Sequence, residues 1–279
     1  MRIASILLPA CLLATLPFAS HAEQHCEHSA PRDSALNLDG ISRVVFDIGP
    51  HQLTVNGGND ATGAIRGRAC ASDSKRLADL VVTQQRKGDT LTIRAERNGL
   101  LRKVSWSGDD YSYLSLTAAL PEKIAVEVAV GSGDVVIGGV ASLRAQVGSG
   151  ELEARRIRGA VHGDVDSGDI KASDIGTLHV GSVGSGALIA RDVRGDATVV
   201  EVNSGDLTIA NAKGRVEIRT IGSGNASLSG IAGNVAVKSI GSGDLDAHGV
   251  SGDLIVDAIG SGSVDHRNVR GRIQLPKDY

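Results

Sequence analysis

Aromatic side chains are almost missing, at 2% of 279 residues. A core assembled around large rings is thereby excluded, and whatever interior the chain encloses is narrow. An excess of positive charge is missing too. The chain has 29 Lys and Arg against 32 Asp and Glu, and the basic residues are scattered. No phosphate-binding stripe results, so nucleic acid is excluded as a partner. Beyond the amino-terminal segment no apolar run is long enough to span a bilayer. Catalytic signatures are also lacking. The Gly-Ser-Gly tripeptides have no third glycine to complete a dinucleotide loop, and no helical pattern follows them. No Gly-x-Ser-x-Gly elbow occurs, so abundant serine is no sign of a hydrolase. The calcium-binding Gly-Gly-x-Gly-x-Asp nonapeptide is absent.

Residues 1–22 read as a secretory signal peptide. Arg2 gives a positive start, Ile6 to Phe18 are largely apolar, and Ser20-His21-Ala22 places small residues at −3 and −1 of a cleavage site. Export to the periplasm, the cell surface or the medium is expected. Leu8-Pro9-Ala10-Cys11 also spells a lipoprotein box, but it would leave a signal shorter than the usual length of about 15–30 residues. Removing Arg2 takes the formal charge from −3 to −4. Two of the three cysteines remain, Cys26 and Cys70. In an oxidising compartment they are expected to form one disulfide. By the chain-entropy estimate, closing that loop stabilises the fold by about 4 kcal/mol. A metal site on His25-Cys26-Glu27-His28 is the rival reading, and its spacing matches no zinc pattern. No cofactor is implied.

What the chain does have is a repeat. A (Gly/Asp/Asn)-Ser-Gly tripeptide recurs with its serines at Ser132, Ser149, Ser167, Ser185, Ser204, Ser223, Ser242 and Ser261, spaced 17, 18, 18, 19, 19, 19 and 19 apart. A fixed period rich in β-branched residues and punctuated by glycine is the signature of a solenoid. Between corners each half-coil reads Gly-x-Φ-x-Φ-x-x-Φ, where Φ is apolar: Leu207, Ile209 and Ala212, then Val216, Ile218 and Ile221. The Φ-x-Φ step is the alternation of a strand with one buried face. The extra residue before the third Φ implies a bulge. Corner glycines are expected to supply positive φ. Two short strands per coil, stacked about 4.8 Å apart, predict an all-β, flattened tube of about eight coils, roughly 38 Å long. Early coils are a residue shorter around Ile175-Gly176 and Gly163 to Val165, which predicts tighter corners there.

The remaining organisation follows. Residues 23–40 are polar and read as a tether. Residues 41–130 read as an irregular β region that forms the first coils and the cap covering an exposed strand edge. It includes a hairpin about Lys87-Gly88-Asp89 and room for one helical turn at 72–79. The regular solenoid covers 131–275, and the tail 276–279 carries a proline and charges that would blunt growth at the edge.

Side chains that could carry function are few. After each Ser-Gly come Asp134, Glu151, Asp169, Ala187, Asp206, Asn225, Asp244 and Ser263, which stacking places in one row. They could hold divalent cations between coils, or bond corner amides as in Asx-turns, and the second reading is favoured. The outward positions Val136, Glu153, Lys171, Ile189, Thr208, Ser227, Asp246 and Asp265 form no binding ladder. His179 points outward, and His266 takes an inward slot in the last coil. Arg194-Gly195-Asp196 is an ordinary corner that happens to spell an integrin tripeptide. Trp106, Tyr111 and Tyr113 cluster within eight residues, either as packing of the cap or as a partner contact.

The Ser-Gly-Asp corners, the strand Lys87-Gly88-Asp89-Thr90-Leu91-Thr92-Ile93 and the step at Leu120-Pro121-Glu122-Lys123 resemble the bacterial putative-adhesin β-strand-repeat family, related to the head GIN domain. The resemblance spans about residues 40–275. It implies the fold and no activity, and no site residues carry over. The expected function is therefore non-catalytic: an exported scaffold, adhesion or interaction module that contacts an envelope, matrix or protein partner. The alternatives are a polysaccharide-active β-helix enzyme, or an envelope-sensing partner protein bound through residues 97–113.

Overall fold

A computed structural model describes residues 26–59, 61, 63–98 and 110–277; the segment read as a signal peptide lies outside them. In chain order the first strands are β1 (His28–Pro31), β2 (Ser34–Ala35), β3 (Arg43–Gly49), β4 (Gln52–Gly58), β5 (Ala64–Ala71), β6 (Leu80–Lys87), β7 (Thr90–Arg97), β8 (Ser112–Pro121), β9 (Ala125–Val130) and β10 (Asp134–Gly138). They are followed by β11 (Ser142–Val147), β12 (Glu151–Val165), β13 (Asp169–Val183), β14 (Ala187–Val193), β15 (Ala197–Val202), β16 (Asp206–Ala212) and β17 (Val216–Ile221). The last are β18 (Asn225–Ile231), β19 (Val235–Ile240), β20 (Asp244–Val250), β21 (Leu254–Val256), β22 (Ser263–Arg267) and β23 (Ile273–Gln274).

These strands wind a β-solenoid with two faces. One ladder runs β5–β8–β4–β10, through the first halves of β12 and β13, then β14–β16–β18–β20–β22. The opposite ladder runs β6–β7–β3–β9–β11, through the second halves of β12 and β13, then β15–β17–β19–β21–β23. Successive coils stay in register, so Leu207, Ala226, Leu245 and Val264 form one inward column. All four are buried, in one continuous cluster of aliphatic side chains.

The bulge read from the pattern is a column in its own right. Gly139, Arg156, Asp174, Asp192, Asn211, Gly230, Gly249 and Asn268 occupy equivalent places in successive coils, and every one has positive φ. This left-handed step turns the third apolar residue back to the interior. The Ser-Gly glycines do something else. They are not among the positive-φ residues. Gly224 is required because a Cβ there would sit 2.1 Å from the carbonyl oxygen of Gly205, one coil before. The expected reason for corner glycine is thus corrected: the tripeptide marks close stacking of backbones, and the conformational demand falls on Asp, Asn, Gly and, once, Arg in the bulge.

At the amino-terminal end, order in space departs from order in sequence. The coil β3–β4 lies between the later coils β7–β8 and β9–β10. The chain lays down the second coil, leaves it to form β5 and β6, and returns to build the first. Pro121 then ends the strand that steps past β4 to β9. A 3-10 helix, Ser74–Asp79, bridges β5 and β6, with Asp73 accepting the Lys75 amide at its start. Over its described part, the segment read as a tether is docked. β1 and β2 pair antiparallel with β5, and Cys26 is bonded to Cys70. Arg32 donates to the carbonyls of Leu80 and Leu77. Composition did not reveal this because polar side chains suit an edge strand whose outer face is wet. Pro31, with no amide to offer, blunts that edge.

Candidate functional site

Polar corner residues are largely consumed by the winding itself. Asp169 accepts the Ala187 amide at 3.1 Å, Asp206 accepts the Asn225 side-chain amide at 2.9 Å, and Asp244 accepts the Ser263 amide at 2.9 Å. Each of these acids therefore faces a neutral donor one coil on, which avoids stacking like charges. The opposite corner repeats the device. Asp196 takes the amide of Arg215, Asn234 that of Asp253, and Asp253 that of Arg272, at 2.8–3.0 Å. Within the row read as Asx-like, Asp169 and Asp244 do bond corner amides, but those of the next coil and not of their own turn, while Asp206 bonds a side chain and Glu151 pairs with Lys171.

Of the aromatic cluster, Trp106 lies outside the described residues. Tyr111 and Tyr113 lie with ring centroids 6.1 Å apart. Tyr111 Oη accepts the Glu27 amide at 2.8 Å, and Tyr113 is cross-strand from the disulfide residue Cys70. Burial raises the Tyr113 phenol above its ordinary pKa, against the pull of Arg68. The two rings thus brace the seam where β1 meets β5. The disulfide removes Cys26 from the rival metal reading, since a half-cystine offers no thiolate.

A recess lies elsewhere, on the outer face of the β9–β11 ladder. From β13 onward the second half of each coil has an extra residue, as in Leu178, Val180 and Val183. In β9, β11 and β12 it does not. In β11, Leu143, Ala145 and Val147 follow one another in plain alternation, all buried. These shorter coils sit back between register shifts, one in β3 at Asp47/Gly49 and one between β12 and β13 at Gly163/Val165. The result is a recess of about 510 Å³, lined by Asp47, Gly49, Ala129, Gln146, Asp164 and Asp166 among others. A smaller one of about 250 Å³ continues past Thr92, Arg94 and Glu127. The floor is small side chains and the walls are mostly carboxylates. Arg94 and Asp47 approach to 4.0 Å, both well exposed, a pairing of little energetic weight.

Beside this recess His162 and His179 stack in adjacent coils, centroids 4.8 Å apart. Thr198 lies 2.7 Å from His179 Nδ1. Burial pulls the His162 pKa down, helped by Arg144 and His179 and opposed by Asp164. His179 does face outward. His266 takes the slot beside Ala247, half-buried. The recess was legible only as the 17- and 18-residue spacings, which predicted tighter corners without saying that they would hollow out a face.

No family model matches the chain, and no curated protein matches it. Solved structures do. One is a putative cell adhesion protein from Clostridium sporogenes, 13% identical, covering 89% of this chain and 100% of that one at a TM-score of 0.30. Another, from Parabacteroides distasonis, is described as a putative adhesin: 12% identity, 86% and 97% coverage, TM-score 0.42. A third, from the same organism, is described as a putative lipid binding protein: 18% identity, 88% and 97% coverage, TM-score 0.39. Two of the three bear the adhesion label that the sequence resemblance also gives. At these identities and scores none of them lends this chain a ligand or an activity.

Proposed function

We propose that the protein is a non-catalytic interaction module, a stiff exported rod that contacts a polar envelope or matrix partner through its outer face. The observation that supports this most directly is the spending of corner acids on backbone amides of the next coil. Groups that a hydrolase would free and converge are here struts that keep the coils in register, and a stack so braced transmits shape. The cystine at Cys26–Cys70 fits a chain that matures in an oxidising compartment. The recess between Asp47 and Asp164 is the contact site we favour, because it combines concavity with a carboxylate rim, of which Asp164 also accepts the Ser182 amide of the next coil at 3.1 Å.

The test uses the purified chain to capture partners from envelope extracts in three forms: intact, with Ala129→Arg and Gln146→Trp filling the recess, and with residues 99–109 replaced by a neutral linker. Capture lost on filling the recess and kept on replacing residues 99–109 is the expected result. Loss on that replacement alone would move the site to the segment that carries Trp106. Turnover of a polysaccharide by the intact chain, abolished by Asp164→Asn, would overturn the non-catalytic reading.

A further inference from the structure

A second groove lies further along the face that holds the recess, where β15, β17, β19 and β21 stack. Its volume is about 500 Å³, in the range that holds an organic ligand. Two outward rows wall it, each crossing these coils along the tube. Val200, Arg219, Lys238 and Asp257 form one row, each following an inward residue of the paired series Val199, Ile218, Val237 and Val256. Thr198, Glu217, Ala236 and Ile255 form the other. The floor is strand backbone over the buried Val199, Ile218 and Val237.

Charge decides what the groove can hold. Arg219 and Lys238 are both exposed and stand in adjacent coils. Lys171, on the other ladder, is neutralised by Glu151 at 2.6 Å, but neither Arg219 nor Lys238 has an ion-pair partner among the described residues. Of the acids nearby, Glu217 is engaged by Arg215 at 3.1 Å. Asp257 stands one coil beyond Lys238 and bounds the basic stretch. Cations stacked about 4.8 Å apart repel, and an anion seated against both turns that repulsion into attraction. The chain as a whole has a formal charge of −3, so an anion is drawn to this groove and not to the protein at large. Val200, 44% exposed, and the half-buried Ile255 add apolar surface on either wall.

Spacing then selects among anions. An extended acidic peptide laid along the groove presents its same-side carboxylates about 6.6 Å apart, out of step with the coils. A glycan chain advances by about one coil spacing per sugar. It can bring the carboxylate of one sugar to Arg219 and that of the next to Lys238, with ring faces against Val200 and Ile255. We propose that this groove binds a linear acidic polysaccharide, Arg219 and Lys238 taking carboxylates from successive sugars. This is a second contact, opposite in sign to the carboxylate-rimmed recess and independent of what occupies it.

The probe is a short oligomer of polygalacturonate labelled at its reducing end. Its methyl ester and an oligoglutamate of equal charge serve as comparisons. Binding to the folded full chain is followed by anisotropy at low salt. The acidic oligomer is expected to bind, and the ester and the peptide to bind at least about tenfold more weakly. Arg219→Gln with Lys238→Gln, at exposed positions and with an unchanged melting curve, is expected to cost the oligomer a similar factor. Arg66→Gln with Arg191→Gln removes the same charge from exposed sites on the other ladder and should change binding by less than about twofold. Gln146→Trp, which fills the recess, should likewise leave it unchanged. Failure of the acidic oligomer to bind, ester or peptide binding as tightly, or equal losses from the two arginine and lysine pairs would overturn the proposal. So would loss of binding with Gln146→Trp, which would place the glycan in the recess.

Discussion

Asn211 donates its side-chain amide to Asp192 Oδ1 at 3.0 Å, one coil away, and both residues have positive φ. The pair combines two requirements of the bulge column. Its residues must tolerate the left-handed region, and Asp174, Asp192 and Asn211 also bond a polar neighbour. Asn and Asp do both, because a short side chain can bond locally in that conformation.

Replacing Asn211 by valine should therefore cost about 1–2 kcal/mol from backbone strain alone. Replacing it by glycine should stay within a few tenths, since the lost hydrogen bond is offset by relief of φ. Urea unfolding of the two variants separates the effects. Equal destabilisation would show that the hydrogen bond, and not the backbone, is what the column preserves.

Sequence periodicity revealed the coil, the inward residues and the bulge because each is a local constraint repeated many times. Leu207, Ile209 and Ala212 have to face inward in every coil, and the pattern says so. It missed what arises from a single event. The insertion of β3 and β4 between β7–β8 and β9–β10 leaves no periodic trace, since it depends on a long-range pairing made once. The docking of His28–Pro31 was hidden for the same reason, although the cystine that fixes it was read correctly. The recess lay between these cases. Its cause, the plain alternation of Leu143, Ala145 and Val147, is visible in the sequence, but its shape depends on neighbours whose register shifts only the fold reveals.

His51 carries the clearest pH dependence. It stands where later coils have the stacking glycine, since the backbone of Gly133 packs directly on it. Its ring turns into the core, 1% exposed, and Nδ1 accepts the Leu114 amide at 3.2 Å. Burial first, and then the Arg97 guanidinium, push its pKa down to about 4. The folded chain thus holds His51 neutral while the unfolded chain protonates it near 6.5, so the unfolded state binds more protons in between. This contribution is complete above about pH 6.5 and fades as pH falls toward 4, a loss of about 3 kcal/mol. Urea midpoints between about pH 7 and about pH 4.5 should fall accordingly. In His51→Asn the drop over this window should shrink, and an undiminished drop would assign it to carboxylates.

The cystine closes a 44-residue separation and ties down the strand that shields β5. Cys26→Ala with Cys70→Ala should lower stability by up to about 4 kcal/mol. The loss should be local before it is global. Amides of residues 64–71 should exchange faster while those of 197–250 keep their protection, because a solenoid communicates mainly between adjacent coils. Uniform acceleration along the chain would contradict that picture.

The Ser-Gly corner offers the sharpest contrast between two adjacent residues. Ser223 is exposed and points away from the stack, while Gly224 is buried against backbone, its missing Cβ only 2.1 Å from the Gly205 oxygen. That neighbour is main chain and cannot swing aside, so Gly224→Ala has to push two coils apart or break their pairing. A cost of about 3 kcal/mol is expected, as for overpacking elsewhere. Ser223→Ala should change stability by less than about 0.5 kcal/mol. The serine of the tripeptide would then be the replaceable residue and the glycine the structural one. Comparable losses from both would mean that the hydroxyl row is itself part of what holds the coils together.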